Sequence, residues 1–224
     1  MAAMDIAFCY ESVLPRRGGC ETYIASLARR LALDGHQVHL YASNWDASSL
    51  PESMIYHEVK IPWRPRFMRP WAFGSAVLKA MKGNNHDASI GFDKTWGLDV
   101  LYPQGGLFAA TADHNLLKYE DPGTQKFVRF IKRFDLSQQS FLMLEKLQYL
   151  GMKKSIVIGI SEMVRNHFQK YYEISSEDLR LVRIAMDPNR FQETDRPRRR
   201  IEWRQQWNIE PTDCLALFVG MNYR

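Results

Sequence analysis

Along the chain, short unbroken apolar runs alternate with longer stretches whose apolar positions recur every three to four residues. Ile6, Ala7, Phe8 and Cys9 form the first run, which suits a strand covered on both faces in a parallel sheet. Pro15 ends it, and Gly18-Gly19 follow. From there Tyr23, Ile24, Leu27, Leu31 and Leu33 mark a helical stripe, with Arg29, Arg30 and Asp34 largely off it. Gly35 predicts a left-handed helix cap, and Val38, Leu40 and Tyr41 open the next strand. Asp5 to Tyr41 is therefore one βαβ unit, with a parallel crossover expected to be right-handed.

The same alternation continues. Met54 to Ile61 reads as a third strand, Trp71 to Met81 as a helix, and Asp87 to Phe92 as a fourth strand after the turn-forming Gly83-Asn84-Asn85. The glycine-rich stretch Gly91 to Gly106 reads as a loop leaving the carboxyl end of that strand, where open α/β sheets hold ligands. Asp93, Lys94, Asp99 and Tyr102 are interspersed in it. Gly123 to Leu150 is helical in period, Ser155 to Ile160 is a short strand, and Ser161 is an N-cap with Glu162 beside the positive end of the next helix. Leu179 to Ile184 predicts a further strand. Arg196 to Arg200 reads as a basic linker or domain edge, Arg200 to Trp207 as a helix, and Cys214 to Val219 as a fresh strand ending at Gly220. Such a strand begins a βα unit, so a first domain over 1–195 is expected, followed over 196–224 by a linker and the start of a second domain near residue 211.

Composition narrows the class. Of 224 residues 46% are hydrophobic and 25% charged, which supports a packed core. The net charge of +5 suits anionic lipid, sugar phosphate or nucleic acid alike, but no aromatic-basic platform for nucleic acid is visible. Cys9, Cys20 and Cys214 are odd in number and scattered, with no metal-ligand spacing. No apolar run reaches the roughly 20 residues that span a bilayer, and no leader pattern precedes Glu11. A cytoplasmic protein, free or attached to a membrane surface, is the expectation.

Gly18-Gly19 is the first candidate site. Glycines there allow a positive φ or the close approach of a ligand, and the helix that follows leaves its first N–H groups free for an anion. A Gly-Gly pair makes a plain tight turn equally well.

Taken in order, Ile6-Ala7-Phe8-Cys9, Gly18-Gly19, Gly35-His36-x-Val38, Tyr41-x-x-Asn44-Trp45, Gly91-Phe92-Asp93-Lys94-x-x-Gly97-Leu98-Asp99-Val100, Gln169-Lys170-Tyr171-Tyr172 and Phe218-Val219-Gly220 resemble the N-terminal half of a retaining glycosyltransferase of family 4 with the GT-B fold. A narrower likeness is to members that add glucose to the inner heptose of lipopolysaccharide core. The resemblance implies an α/β fold: a Rossmann-like parallel sheet with helices on both faces, and a second domain only begun within the chain. It implies a nucleotide-sugar donor, UDP-glucose for the narrower group, and a glycolipid or oligosaccharide acceptor, with no metal, no cofactor and no nucleic acid. Gly18 and Gly19 would face the donor diphosphate. Glu21, Arg17 and Lys94 would contact the acceptor, with Lys94 on an acceptor phosphate, and Asp93 and Asp99 would be the catalytic carboxylates. A capping or turn role fits Asp93, Lys94 and Asp99 as well. The chain alone would not transfer sugar. A non-catalytic module binding an anionic glycolipid or sugar phosphate is the alternative.

Between Thr124 and Phe134, Phe127, Phe130, Ile131 and Phe134 share one helical face among Lys126, Arg129, Lys132 and Arg133, with no acid among them. Such a basic amphipathic helix suits an anionic membrane interface, and the resembled enzymes are peripheral, with this region implicated in membrane contact. Phe127, Arg129, Phe130, Lys132 and Arg133 are the residues expected at the membrane. The same periodicity would equally pack an aromatic stripe on the sheet.

Overall fold

The computed structural model describes residues 2–16, 18–151, 153–185 and 195–218. In chain order the elements are β1 (Asp5–Cys9), β2 (Ser12–Val13), α1 (Gly19–Leu33), β3 (Gln37–Ala42), β4 (Asn44–Trp45), β5 (Ile55–Glu58), α2 (Arg69–Met81), β6 (Ala88–Phe92), β7 (Val100–Tyr102), α3 (Phe108–His114), α4 (Pro122–Lys132), α5 (Leu136–Leu150), β8 (Ile156–Gly159), α6 (Glu162–Tyr172), β9 (Leu179–Leu181) and α7 (Arg196–Gln206). Seven strands form one sheet in the order β5-β3-β1-β6-β7-β8-β9, every pairing parallel. β2 and β4 make a separate two-stranded pair.

The run Ile6 to Cys9 is apolar throughout because both faces of β1 are covered. Ile6 and Phe8 pack with Ile24, Ala25 and Ala28 of α1 on one face, while Ala7 and Cys9 pack with Phe73 and Val77 of α2 on the other. A third cluster joins Val157 of β8, Leu107, Ala110 of α3, and Val164 and Phe168 of α6. Each fully buried aliphatic or aromatic side chain contributes roughly 1.5–3 kcal/mol. α1 ends as its sequence requires: Gly35 takes φ 87, with Gly35 N donating to Ala32 O at 3.1 Å and His36 N to Leu31 O at 3.0 Å, the paired closure of a Schellman cap.

Strand order places the site. The chain moves outward from β1 through β3 to β5, then returns to lay β6 on the other side of β1. The sheet therefore reverses its winding between β1 and β6, and their carboxyl ends open a crevice there.

Several expectations are corrected. Gly91 to Gly106 is not one loop, because Val100–Tyr102 pairs with β6 as β7. The predicted helix from Gly123 to Leu150 is two helices. Asp135 breaks it by accepting from Ser137 N (2.9 Å) and Gln138 N (3.1 Å) as a fresh N-cap. The basic stretch from Arg196 is helical, the first turn of α7; Pro197 at its start lacks only an N–H that the first turn leaves unbonded anyway. Of the strand expected over Cys214 to Val219, the described part, Cys214 to Phe218, carries no strand and has no ladder partner among the described residues; Val219 and Gly220 lie outside them. By its internal contacts the chain divides into two compact units, Met1–Ile184 and Ala185–Arg224.

Candidate functional site

The β1–β6 crevice holds a cleft of about 200 Å³. Tyr10, Glu11 and Ser12 enter it from the end of β1, Phe92, Asp93, Lys94 and Thr95 from the end of β6, Glu21 from the first turn of α1, and Pro70 and Phe73 from the first turns of α2. A second cavity of about 240 Å³ shares Asp93 and Lys94 and is otherwise walled by the turn before α3, by Phe108 and Thr111 of α3, and by α5.

Gly18 is the N-cap of α1, with extended backbone at φ −168 and ψ 171. Neither Gly18 nor Gly19 has a positive φ, so close approach and not left-handed geometry accounts for the pair. A Cβ on Gly18 would stand 2.6 Å from Glu21 Oε2, whereas one on Gly19 would meet nothing within 4 Å. The glycine thus admits the Glu21 carboxylate over the helix start, and the Gly19 side stays open to a ligand. Thr22 Oγ1 ties the turn down by donating to Pro15 O and Gly18 O, each at 2.9 Å. Arg17 lies outside the described residues.

Asp93 sits on the crevice floor in a left-handed conformation, φ 62, which a non-glycine residue adopts at a cost of order 1 kcal/mol or more. Its carbonyl holds it there, accepting from Thr95 N (3.0 Å) and Gln148 Nε2 (2.5 Å). The cleft walls strip water from its carboxyl and raise its pKa; Lys94, 4.0 Å away, pulls the other way and Glu11 adds to the rise. The Lys94 ammonium lies 4.6 Å over the Phe141 ring, between the two cavities. Glu11 is ion-paired with Arg69 across the rim. Asp93, Lys94 and Glu21 therefore line one cleft, and Glu21 reaches from it to Gly18; Gly18 and Gly19 are not themselves among its lining residues.

Asp99 is not in that cleft. It precedes β7, so a parallel sheet puts it at the amino edge, opposite the crevice. There it accepts from Ser89 N (2.9 Å) and Ser89 Oγ (2.5 Å), its own N–H donates to Ser89 Oγ (3.0 Å), and Lys153 Nζ lies 2.9 Å away. The catalytic assignment of Asp99 is thereby corrected: it clamps β6 to β7.

Two residues of the second cavity's wall escape a reading of the sequence. Glu145, 5% exposed, accepts from Phe108 N and from Ala109 N (2.9 Å) at the start of α3 and from Tyr172 OH (2.7 Å). Burial raises its pKa, against the pull of these hydrogen bonds. Gln148, three residues on and also buried, bonds Asp93 O and Thr95 O. The signal was a carboxylate and an amide on the inner face of an apolar helix, at i and i+3.

Nothing in α4 is buried. Phe127, Phe130 and Phe134 are 63%, 56% and 72% exposed, so the stripe does not pack on the sheet. Arg129 meets Asp113 of α3 at 3.3 Å; Lys132 and Arg133 form no ion pair among the described residues. No helix among the described residues is long and apolar enough to cross a membrane.

The comparisons with known proteins agree with this architecture. Residues 17–190 match the model of Glycosyltransferase Family 4. The lipopolysaccharide glucosyltransferase WaaG of Escherichia coli (strain K12) is 23% identical over 220 residues, 98% of this chain and 55% of that protein. The crystal structure of WaaG, a glycosyltransferase involved in lipopolysaccharide biosynthesis, superposes with a TM-score of 0.72 at 21% identity, over 92% of this chain and 52% of that one. A glycosyltransferase from Rickettsia africae ESF-5 aligns with a TM-score of 0.52 at 12% identity, over 95% and 51%. The chain thus spans about half the length of the proteins it matches. With the family model covering most of its length and a doubly wound parallel sheet matching the N-terminal Rossmann-like domain of the GT-B fold, the chain belongs to glycosyltransferase family 4.

Proposed function

We propose that the chain is the acceptor-side half of a retaining hexosyltransferase that moves glucose from a nucleotide-sugar, UDP-glucose in the first instance, to lipopolysaccharide core or a similar glycolipid. The observation that carries the reading is the crevice at the winding reversal, where Asp93, Lys94 and Glu21 line one cleft and Glu21 stands against Gly18 at the N-terminus of α1. The similarity to WaaG supports the lipopolysaccharide context.

In this reading the anomeric bond to the diphosphate breaks, the acceptor oxygen takes its place on the same face, and the nucleoside diphosphate leaves with the bonding electrons. The Gly18-Gly19 amides and the positive end of α1 face the charge that grows on the leaving phosphate. Asp93 is the carboxylate that receives the acceptor hydroxyl's hydrogen bond, and desolvation makes it a stronger base than an exposed aspartate. Lys94 holds an anionic group of the acceptor, and Glu21 a sugar hydroxyl. The reading requires no metal and no cofactor. The groups that grip the nucleotide belong to a second domain. α4 rests on the inner face of the cell membrane, its phenylalanines in the interface and its basic residues toward anionic lipid.

The test is transfer of labelled glucose from UDP-glucose to a glycolipid truncated at the inner heptose, using the product of the whole gene. Asp93→Asn is expected to lower kcat/KM by about 10² or more. Lys94→Ala should raise KM for a phosphorylated acceptor more than it lowers kcat. Full activity of Asp93→Asn, or equal turnover by residues 1–224 alone, would refute the assignment.

A further inference from the structure

The segment from Lys60 to Arg69, Lys-Ile-Pro-Trp-Arg-Pro-Arg-Phe-Met-Arg, leaves β5 at the carboxyl edge of the sheet and enters α2. It contains no acid. It is ordered at both ends. Val59 N donates to Ala42 O at 2.8 Å, and Ser43 Oγ to Val59 O at 2.7 Å. Pro65 O accepts from Met68 N (2.9 Å) and Arg69 N (3.1 Å), and Ser140 Oγ of α5 donates to Phe67 O (2.8 Å) while accepting from Trp71 Nε1 (2.9 Å). Pro62 and Pro65 fix their own φ and bias the residues before them toward extended backbone.

Against that rigid frame, the outward side chains are the wrong ones for water. Trp63 is 85% exposed and Met68 43%. Lys60 and Arg69 have acidic partners in Glu58 and Glu11, but Arg64 and Arg66 have none among the described residues. A tryptophan held out by a hydrogen-bonded, proline-stiffened turn and followed by two arginines without acidic partners among the described residues has the composition of an interfacial anchor. The indole sits at headgroup level and guanidinium groups meet lipid phosphate. Its position fits one partner. Ser140, which fastens the segment to α5, lies one helical turn beyond Leu136, and Leu136 and Phe134, both exposed, lie in the short stretch of chain between Ser140 and α4, with Phe134 against Phe130 of α4.

We propose that Lys60–Met68 is a second membrane anchor. It places Trp63 and Met68 in an anionic lipid interface, with Arg64 and Arg66 on lipid phosphates. Together with α4 it makes a two-point contact that fixes the tilt of the crevice toward the bilayer. The proposal rests on the membrane reading of α4, which one arm of the test addresses separately.

The test is co-sedimentation of the chain with vesicles of phosphatidylcholine containing one third phosphatidylglycerol and no glycolipid acceptor. Three variants are compared: Arg64→Glu with Arg66→Glu, Trp63→Ser, and Phe127→Ser with Phe130→Ser. Each basic side chain near such a surface is worth about 1 kcal/mol, so the arginine pair should lower the partition coefficient at least about tenfold and flatten its salt dependence. Trp63→Ser should lower it severalfold. Lipids brominated near the headgroup should quench wild-type tryptophan emission more than that of Trp63→Phe, a readout that loss of fold does not mimic. Wild-type binding by both loop variants, with loss in the α4 variant, overturns the second anchor and leaves α4. The reverse pattern keeps the loop and removes α4. Absence of wild-type binding overturns both.

Discussion

Replacing Asp99 by alanine separates a clamp on the sheet from a group in the chemistry. Alanine removes the acceptor of Ser89 N and Ser89 Oγ together with the partner of Lys153. Ser89 is buried, so its amide and hydroxyl would lose their acceptor away from water, a cost of about 1–3 kcal/mol. The Lys153 pair is half-exposed and screened, and adds at most about 0.5 kcal/mol. The expected loss is about 2 kcal/mol, which for a chain of this length lowers the melting midpoint by roughly 4–8 °C. Asp99→Asn keeps an oxygen for Ser89 and should cost under about 1 kcal/mol.

The pH profile adds a second constraint. Burial pushes the Asp99 pKa up, but the hydrogen bonds from Ser89 and Lys153 win and hold it below the usual carboxylate range. The folded chain then binds fewer protons here than the unfolded one. The stabilisation is therefore complete above the unfolded value, near 3.9, and lost as pH falls through the folded one. Urea titrations followed by circular dichroism should show a constant gap between wild type and Asp99→Ala from pH 7 to about pH 5, closing below about pH 4. Transfer by the whole gene product carrying Asp99→Ala should match wild type at a temperature where both are folded. A variant that melts with wild type yet has lost transfer would refute the clamp and return Asp99 to the reaction.

Glu145→Ala leaves two amides of α3 and the Tyr172 hydroxyl without their acceptor inside the protein, and should cost about 3 kcal/mol in urea unfolding. Because burial raises the folded pKa of Glu145, its stabilisation is greatest at low pH and falls as pH rises through that value; the gap to the alanine variant should be wider at pH 4.5 than at pH 8. His39, His57 and His86 lie together, His39 Nδ1 2.9 Å from His57 Nε2 and His86 Nε2 2.8 Å from Tyr41 OH, with Asn84 Nδ2 3.1 Å from the same hydroxyl. Burial first, and mutual repulsion second, lowers the pKa of all three; the nearby Asp5 opposes this at His39 and His86, and Asp87 at His86. Stability should fall as pH drops below about 6.5, and His57→Gln should flatten that fall between pH 7 and pH 5 in thermal melts. Gly91→Ala would put a methyl 2.1 Å from Thr95 Oγ1 and 2.7 Å from Leu98 Cδ1, both inside, and overpacking should cost about 1–3 kcal/mol in the same denaturation assay.

What the amino-acid pattern disclosed and what it hid follow from the reach of each signal. Ile6–Cys9, the α1 stripe from Tyr23 to Leu31 (Leu33, expected on it, is exposed) and Gly35 are local statements: a strand buried on both faces must be apolar at every position, and a Schellman cap needs its glycine wherever the helix goes. These were legible, and the β1–β6 crevice with them. β7 was not, because three residues inside a glycine-rich stretch become a strand only by pairing with β6 and β8. That single omission misplaced Asp99. In a parallel sheet a residue following a strand stands at the carboxyl edge and one preceding a strand at the amino edge. An unseen strand between Asp93 and Gly106 therefore reverses the edge assigned to whatever lies just before it. Asp93 and Lys94, attached directly to the end of β6, kept their place. The phenylalanines of α4 show the same limit from the other side. A period of 3.6 states which side of a helix is apolar and says nothing about what covers it; only the absence of any buried residue in α4 turns that face outward. Trp63 had no period at all, and its meaning depends on Pro65 and Ser140 holding the turn that presents it.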